Sequence, residues 1–423
     1  MYLPSDVEYI LEVLYLNGYQ AYCVGGCVRD SLMGIKPHDY DICTSATPDQ
    51  ILGIFNECGL RCLTVGLKHG TVTVILGSEQ YEITTFRIDG DYSDGRHPDE
   101  VIFTDKLYED LARRDFTMNA IAYNFRDGIV DPFHGQDDIK RRIIRCVGDA
   151  NERFQEDALR MLRCLRFASR FNDLYIDGDT RQALITNAHL LKNASVERIQ
   201  SELVQILECD NHSNQILYEN LIYLLSVVVP ELEMDDKYDI ARHLIGQHST
   251  GRNVYTMAAL LFDFCEETLD DVLRRLRFPN DDIYHIKHIS ANGYDIVENL
   301  DILMSGNVDL DIFARDIISR IGYGDAFESV NYAISYQSVD MDKVSFLFGL
   351  KEIVGAHYVD EGRITISSLE INGNDLLALG YQDRKIGEML NILLDKVIHY
   401  ELGNKRDQLM WFVKNYKAKQ TKS

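Results

Sequence analysis

The chain has 423 residues, enough for two to four domains at about 150 residues each, and its 46% apolar content supplies ordinary globular core material. With 43 Lys+Arg against 67 Asp+Glu, the net charge of −24 argues against general affinity for nucleic acid, which phosphate contacts dominate. No run of 18 apolar residues is present and Met1–Asp6 has no basic, apolar leader pattern, so neither a membrane span nor a signal peptide is expected. Nine cysteines without a Cys-x-x-Cys pair point to reduced thiols in a cytoplasmic protein, and against a disulfide framework or a zinc site.

Taken in chain order, the first 145 residues alternate helix and strand. Val7–Leu16 has helical spacing; Ala21–Val24 reads as a short buried strand ending at Gly25-Gly26, and a helix follows from about Val28. Tyr40–Cys43 reads as a second strand, and Thr47-Pro48-Asp49 opens another helix with a cap residue before a first-turn proline. Thr71–Leu76 and Glu79–Phe86 are β-branched runs divided by Gly77-Ser78, the pattern of a hairpin. Beyond about residue 147 strand signals cease and helical patterns run to the C-terminus. The fold class is therefore a small α/β head on a long all-α body.

The acidity is uneven. Residues 111–200 hold 15 Lys+Arg and 13 Asp+Glu, with one basic cluster at Lys140–Arg142 and Arg145 and another at Arg153, Arg160, Arg163, Arg166 and Arg170. Screening confines an exposed charge to a reach of about 8 Å, so a basic strip on an acidic body can hold an RNA backbone. A solvated arginine-rich helix face is the plainer alternative.

Gly25-Gly26-Cys27-Val28-Arg29-Asp30 lies between strand and helix, where glycines let the backbone approach a phosphate and Arg29 adds a planar charged fork. Alone, such a turn is usually structural. Ten residues after Arg29 comes Asp39-Tyr40-Asp41; in a strand both carboxylates point to one side, as hard oxygen ligands for Mg²⁺. The two elements at this spacing are far more specific than either one.

Gly25-Gly26-x-Val28-Arg29-Asp30, Leu32-x-Gly34 and Asp39-x-Asp41 resemble the signature of class II tRNA nucleotidyltransferases and bacterial poly(A) polymerases, within the DNA polymerase beta superfamily. The resemblance continues in order through Gly66–Thr71, Tyr81–Arg87, Asp94–Pro98, Asp110–Ala120, Asp127–Gly135 and Arg153–Phe167, and more thinly through Ile371–Leu390 and Asn404–Asp407. It implies a polymerase-beta-type nucleotidyltransferase head over 1–146, a helical neck over 147–210, a body over 211–350 resembling a degenerate His-Asp-type domain, and a tRNA-binding tail over 351–423.

The resemblance also implies two-metal phosphoryl transfer. Asp39 and Asp41 would hold Mg²⁺, with the third carboxylate open between Glu82 and Asp110. Gly26 and Arg29 would grip the triphosphate, and Arg113, Arg114 and Asp115 match a motif implicated in ribose recognition. Asp157 and Arg160 match a pair that templates the incoming base, and at helical spacing they would lie side by side. Cytosine and adenine present an amine beside an unprotonated ring nitrogen, so an accepting carboxylate and a donating guanidinium suit them and clash with uracil and guanine. Arg163 and Arg166, on the same ridge, would contact phosphate or brace the pair. The expected partners are the tRNA 3′ end, ATP and CTP, with no membrane and the oligomeric state open.

The expected activity is template-independent addition of C, C and A to tRNA. Poly(A) synthesis, partial CC or A addition, and a noncatalytic RNA-binding scaffold are the competing readings. The Asp91–Asp99 segment fills the place of a flexible loop that CC-adding relatives lack, which favours terminal A addition. In the body, Phe262 of Ala259–Cys265 stands where phosphohydrolase relatives carry a histidine ligand, and His243 and His248 lie upstream, so a scaffold without hydrolase activity is expected. Lys414, Lys417, Lys419 and Lys422 make the C-terminal end basic.

Overall fold

The computed structural model describes residues 1–90, 101–171, 174–209, 215–232, 254–337, 340–359 and 365–420. The segment Asp91–Asp99, His243, His248 and Lys422, and the side chains of Lys417 and Lys419, lie outside the described residues. The chain divides into two compact units, residues 1–211 with 219–234, and residues 212–218 with 235–423.

The first unit opens with α1 (Ser5–Leu16), β1 (Ala21–Val24), α2 (Gly26–Leu32), β2 (Ile42–Thr44), α3 (Pro48–Glu57), β3 (Arg61–Leu63), β4 (Thr71–Leu76) and β5 (Glu79–Thr85). Then come β6 (Arg87–Asp89), β7 (Val101–Phe103), α4 (Leu107–Ala112), β8 (Ala122–Asn124), β9 (Gly128–Val130), α5 (Gly135–Arg141) and β10 (Ile143–Ile144). It continues with α6 (Ala150–Glu156), α7 (Leu159–Arg170), β11 (Tyr175–Ile176), α8 (Gly178–Asn187) and α9 (Val196–Leu207). Seven strands form one mixed sheet in the order β3-β4-β5-β2-β1-β8-β9. β4 and β5 form the expected hairpin, with Val72 opposite Ile83. β2 joins β5 in parallel with Ile42 opposite Ile83 and joins β1 antiparallel, which puts the Asp39–Asp41 lead-in at the centre of the sheet.

Three sequence expectations shift. α2 begins at Gly26, two residues earlier than expected. β2 begins at Ile42, so Asp39 and Asp41 stand in the lead-in just before the regular strand; the chain is already tied there, since the Val24 N–H donates to the Asp41 carbonyl at 3.0 Å. Strand does not end at residue 147 either, because β11 pairs in parallel with β10. Two residues are too few to carry a period-2 signal.

The head core joins Tyr22, Val24, Cys43, Phe86, Leu111 and Ala122. Phe86 is fully buried, a burial that contributes about 1.5–3 kcal/mol. α7 is amphipathic, burying Leu162, Leu165 and Phe167, and Phe116 meets Phe167 edge-to-face at 5.7 Å between centroids. This apolar contact fixes the arginine-bearing helix against the motif that contains Asp115.

The second unit is helical among its described residues. One core gathers Ile296, Leu300, Ile317, Val330, Leu347 and Val354, and another gathers Ile371, Leu376, Leu393 and Leu409. Phe262 is fully buried, and Asp263 beside it accepts from the Tyr332 hydroxyl at 2.8 Å. The tail motif is knitted together: Asn404 donates to the Ser368 carbonyl at 2.9 Å, and Arg406 pairs with Asp375. All nine cysteines are free thiols, and no described helix is long and apolar enough to cross a membrane.

Candidate active site

Gly25 adopts φ +75°, and a Cβ built there would stand 3.1 Å from Nη1 of Arg114. The turn before α2 therefore needs glycine twice over, for its backbone conformation and for the close approach of a guanidinium. Arg114 also donates to Asp110 at 3.2 Å. Asp41 lies within its field: burial raises the Asp41 carboxyl, Arg114 opposes that shift, and Asp39 adds to it by like-charge repulsion. Both residues keep solvent access while surrounding protein partly desolvates the Asp41 carboxyl; their mutual repulsion is one a cation would relieve, and two carboxylates are the donor set a hard divalent ion takes.

Two carboxylates competed for the third position. Asp110 is fully buried, bonded to Arg113 at 2.7 Å and to Arg114 at 3.2 Å. Burial raises its carboxyl, yet the two guanidiniums prevail and the net direction is downward. Glu82 is exposed, and the parallel register of Ile42 with Ile83 puts its backbone beside Asp41 one step earlier.

Arg29 departs from the expectation. It is 4% exposed, donates to Asp30 at 2.8 Å and to Asn119 at 2.7 Å, and lies over the rings of Phe167 and Phe171 at 5.0 and 5.1 Å. A guanidinium enclosed in this way ties α2 to α7. Gly26 is partly exposed at the start of α2.

Asp115 departs likewise. One oxygen accepts from the Phe116 N–H at 2.8 Å and Asn119 Nδ2 at 2.9 Å; the other accepts from Arg163 Nε at 3.0 Å and Nη2 at 2.7 Å. Four donors fill the four lone-pair directions of a carboxylate, leaving none for a ribose hydroxyl. Burial alone would raise this group, but Arg163 and Asn119 overcome it and hold the carboxyl at about 2.

Asp157 is not on a helix. α6 ends at Glu156, Asp157 is extended at φ −144° and ψ 104°, and its carboxylate accepts from the Leu159 N–H at 3.0 Å where α7 begins. The helix-face arrangement expected with Arg160 is replaced by a backbone link, the Arg160 N–H donating to the Asp157 carbonyl at 3.0 Å. Arg160 instead donates to Glu156 at 2.5 Å and to the carbonyls of Arg153 and Arg113, both at 3.1 Å. Arg163 braces Asp115, and Arg166 donates to Glu202 at 2.6 Å.

A cavity of about 430 Å³ nonetheless gathers Arg113, Arg114, Asp115, Asp157, Arg160 and Arg163, with Arg198 and Glu202 of α9 on its wall. Local motifs had singled out neither α9 residue. Each lies more than 30 positions from its partner, where no periodicity links the two. The supposed basic strip is mostly a paired network: Arg153 and Arg160 meet Glu156, Arg163 meets Asp115, Arg166 meets Glu202 and Arg170 meets Asp30. Lys140, Arg141 and Arg142 remain exposed.

Residues 21–145 match the poly A polymerase head domain, and residues 173–234 match a probable RNA- and SrmB-binding site of polymerase A. A CCA-adding enzyme of Staphylococcus saprophyticus is 35% identical over 413 residues, 96% of each chain. One from Oceanobacillus iheyensis is 34% identical over 400 residues, 92% of this chain and 90% of that relative. The chain belongs to the CCA-adding enzyme family. A crystal structure of the Bacillus stearothermophilus CCA-adding enzyme in complex with CTP superposes with a TM-score of 0.76 at 29% identity, covering all of both chains. Both the mixed-sheet unit and the helical second unit fall within the matched span.

Proposed function

We propose that this chain adds C, C and A to the 3′ end of tRNA, using CTP and ATP and releasing pyrophosphate. The observation that carries this reading is the cavity that sets Asp157 and Arg160 beside Arg113–Asp115. An acceptor and a donor on one wall match the amine and ring nitrogen shared by cytosine and adenine. In the reaction the tRNA 3′-oxygen forms a bond to the α-phosphorus, the bond from that phosphorus to the α,β-bridging oxygen breaks, the β- and γ-phosphates leave together as pyrophosphate, and the hydroxyl proton is lost to solvent.

Asp39 and Asp41 would hold the divalent metal, Mg²⁺ in this reading, with Glu82 as the third carboxylate because Asp110 is spent on Arg113 and Arg114. When bound, such ions polarise the attacking hydroxyl and neutralise charge on the triphosphate. Arg114, between the Gly25 turn and the carboxylates, is the cation best placed for the triphosphate. Arg29, Asp115, Arg163 and Arg166 hold the loop, α7 and α9 in register, and the base is read by Asp157 and Arg160.

The test supplies each labelled nucleotide singly, with Mg²⁺, to tRNA ending at the discriminator base, at C or at CC. Extension by C, C and then A, stopping there, is the expected result. Long A tails, or no extension of any end, would overturn the reading. Asp157→Ala and Arg160→Ala are each expected to lose preference for CTP and ATP over UTP and GTP.

A further inference from the structure

Asp157 can read a base only if its carboxylate is aimed, and the backbone does not aim it. The residue sits in the break between two helices, where an extended aspartate has free choice of χ1. The Leu159 N–H secures Oδ1 alone, at 3.0 Å. The second restraint comes from α9, where Arg198 Nη2 donates to Oδ2 at 2.7 Å and Nη1 approaches Oδ1 at 3.4 Å. Arg198 is three-quarters buried on its side chain and belongs to the wall of the same cavity.

We infer that Arg198 is the positioning residue of base selection: its fork fixes the plane of the Asp157 carboxylate and so determines which base edge the pocket accepts. This rests on the CCA-adding reading. The two-point contact removes the rotation that a single backbone N–H would leave. It occupies one lone pair of Oδ2 and leaves the other, so the oxygen still has room for an exocyclic amine. Arg198 also competes with Arg160 for the Asp157 carboxylate, adding to what the helix break already does. Left alone, a carboxylate and a guanidinium at this spacing would neutralise each other, and neither would be offered to a base. Arg198 holds the acid while Glu156 holds Arg160 at 2.5 Å, so the two reading groups remain apart. A uracil edge, with a carbonyl where cytosine has an amine, meets an oxygen held in place. With Arg198 removed that oxygen turns away and the repulsion is relieved.

The experiment uses the full chain with Arg198→Met, which keeps most of the stem volume, and Arg198→Lys. It measures kcat/KM for CTP, ATP, UTP and GTP on tRNA ends, together with KM for tRNA and the thermal melt. For Arg198→Met the expected result is a fall of about 10–100-fold with CTP and ATP, the scale of a reacting group misplaced by about 1 Å. UTP should lose far less, so the CTP/UTP ratio falls at least about tenfold, while KM for tRNA stays unchanged. Arg198→Lys, a point charge that can hold one oxygen only, should recover part of the discrimination. An equal fall for all four nucleotides, or an unchanged CTP/UTP ratio, would overturn the inference and leave Arg198 a packing residue. Failure of the CCA-adding reading is separately visible, since the unaltered chain would then not add C, C and A.

Discussion

Asp115→Asn tests whether Asp115 is a brace for α7. The substitution replaces an oxygen that accepts two Arg163 N–H groups, or one that accepts from Phe116 and Asn119, with an NH₂ that must itself donate. The stabilisation at stake follows from the carboxyl being held at about 2, against about 3.9 in an unfolded chain, which corresponds to about 2–3 kcal/mol at neutral pH. Breaking a buried ion pair by removing one partner costs about 3–5 kcal/mol, and the side chain of Arg163 is a third exposed, which lowers the loss to a similar figure. The folded value lies below the unfolded one, so the contribution is complete above about pH 5 and disappears as pH falls through 4 towards 2. A chain of two compact units need not unfold in one step, so the readout is hydrogen exchange of peptides from residues 113–120 and 159–170. At pH 7 their protection should fall by up to about 100-fold, the equivalent of about 2–3 kcal/mol. Denaturant titrations followed at the same segments should show the difference between wild type and variant closing below pH 4. A loss under about 0.5 kcal/mol at pH 7, or a difference that persists at pH 2, would refute the argument, because the ion pair would then contribute no more than a surface contact.

Three other outcomes are expected. Arg29→Met should keep the apolar stacking on Phe167 and Phe171 but leave the buried Asn119 oxygen without its donor, costing about 1–3 kcal/mol in a denaturant melt, with KM for CTP within about threefold of wild type; a tenfold rise in KM without destabilisation would put Arg29 at the phosphates. Gly25→Ala should destabilise the turn by about 1–2 kcal/mol, from its positive φ and from the displaced Arg114, and nucleotide transfer should fall with it; wild-type activity would refute this. Asp41→Asn should lower nucleotide transfer by about 10³-fold or more while circular dichroism stays unchanged. Because burial raises the Asp41 carboxyl, protons compete with metal, and Mn²⁺ affinity measured by calorimetry should weaken as pH falls through that raised value; pH-independent affinity would exclude Asp41 as a ligand.

Much of the head was legible because its signals are local. β-branched alternation marked β4 and β5, Thr47-Pro48 marked the start of α3, and Gly25-Gly26 marked a turn whose positive φ the backbone now displays. The motifs also named most residues that share the cavity. What they could not assign was the direction of each charged side chain. Arg29 and Asp115 were expected to face ligand, but Asp115 is saturated by protein donors and Arg29 is enclosed against Asn119, Phe167 and Phe171, which only folding brings near. The helix break at Asp157 was hidden because Glu156 to Arg163 has no glycine or proline to punctuate it.

The amino-acid order alone thus pointed to the kind of chemistry: carboxylates following a glycine turn, an acid and a guanidinium proposed to read the base, and an acidic chain whose acidity lifts across residues 111–200. Tertiary structure decided how the charge there is spent. Arginines that look like a basic strip in one dimension meet Glu156, Asp115, Glu202 and Asp30 in three, so little of their charge is left for nonspecific attraction of RNA. The reason is physical: a motif fixes which groups exist, but desolvation requires each buried charge to find a partner, and the partners of Asp115 and Asp157 lie 41 to 48 residues away.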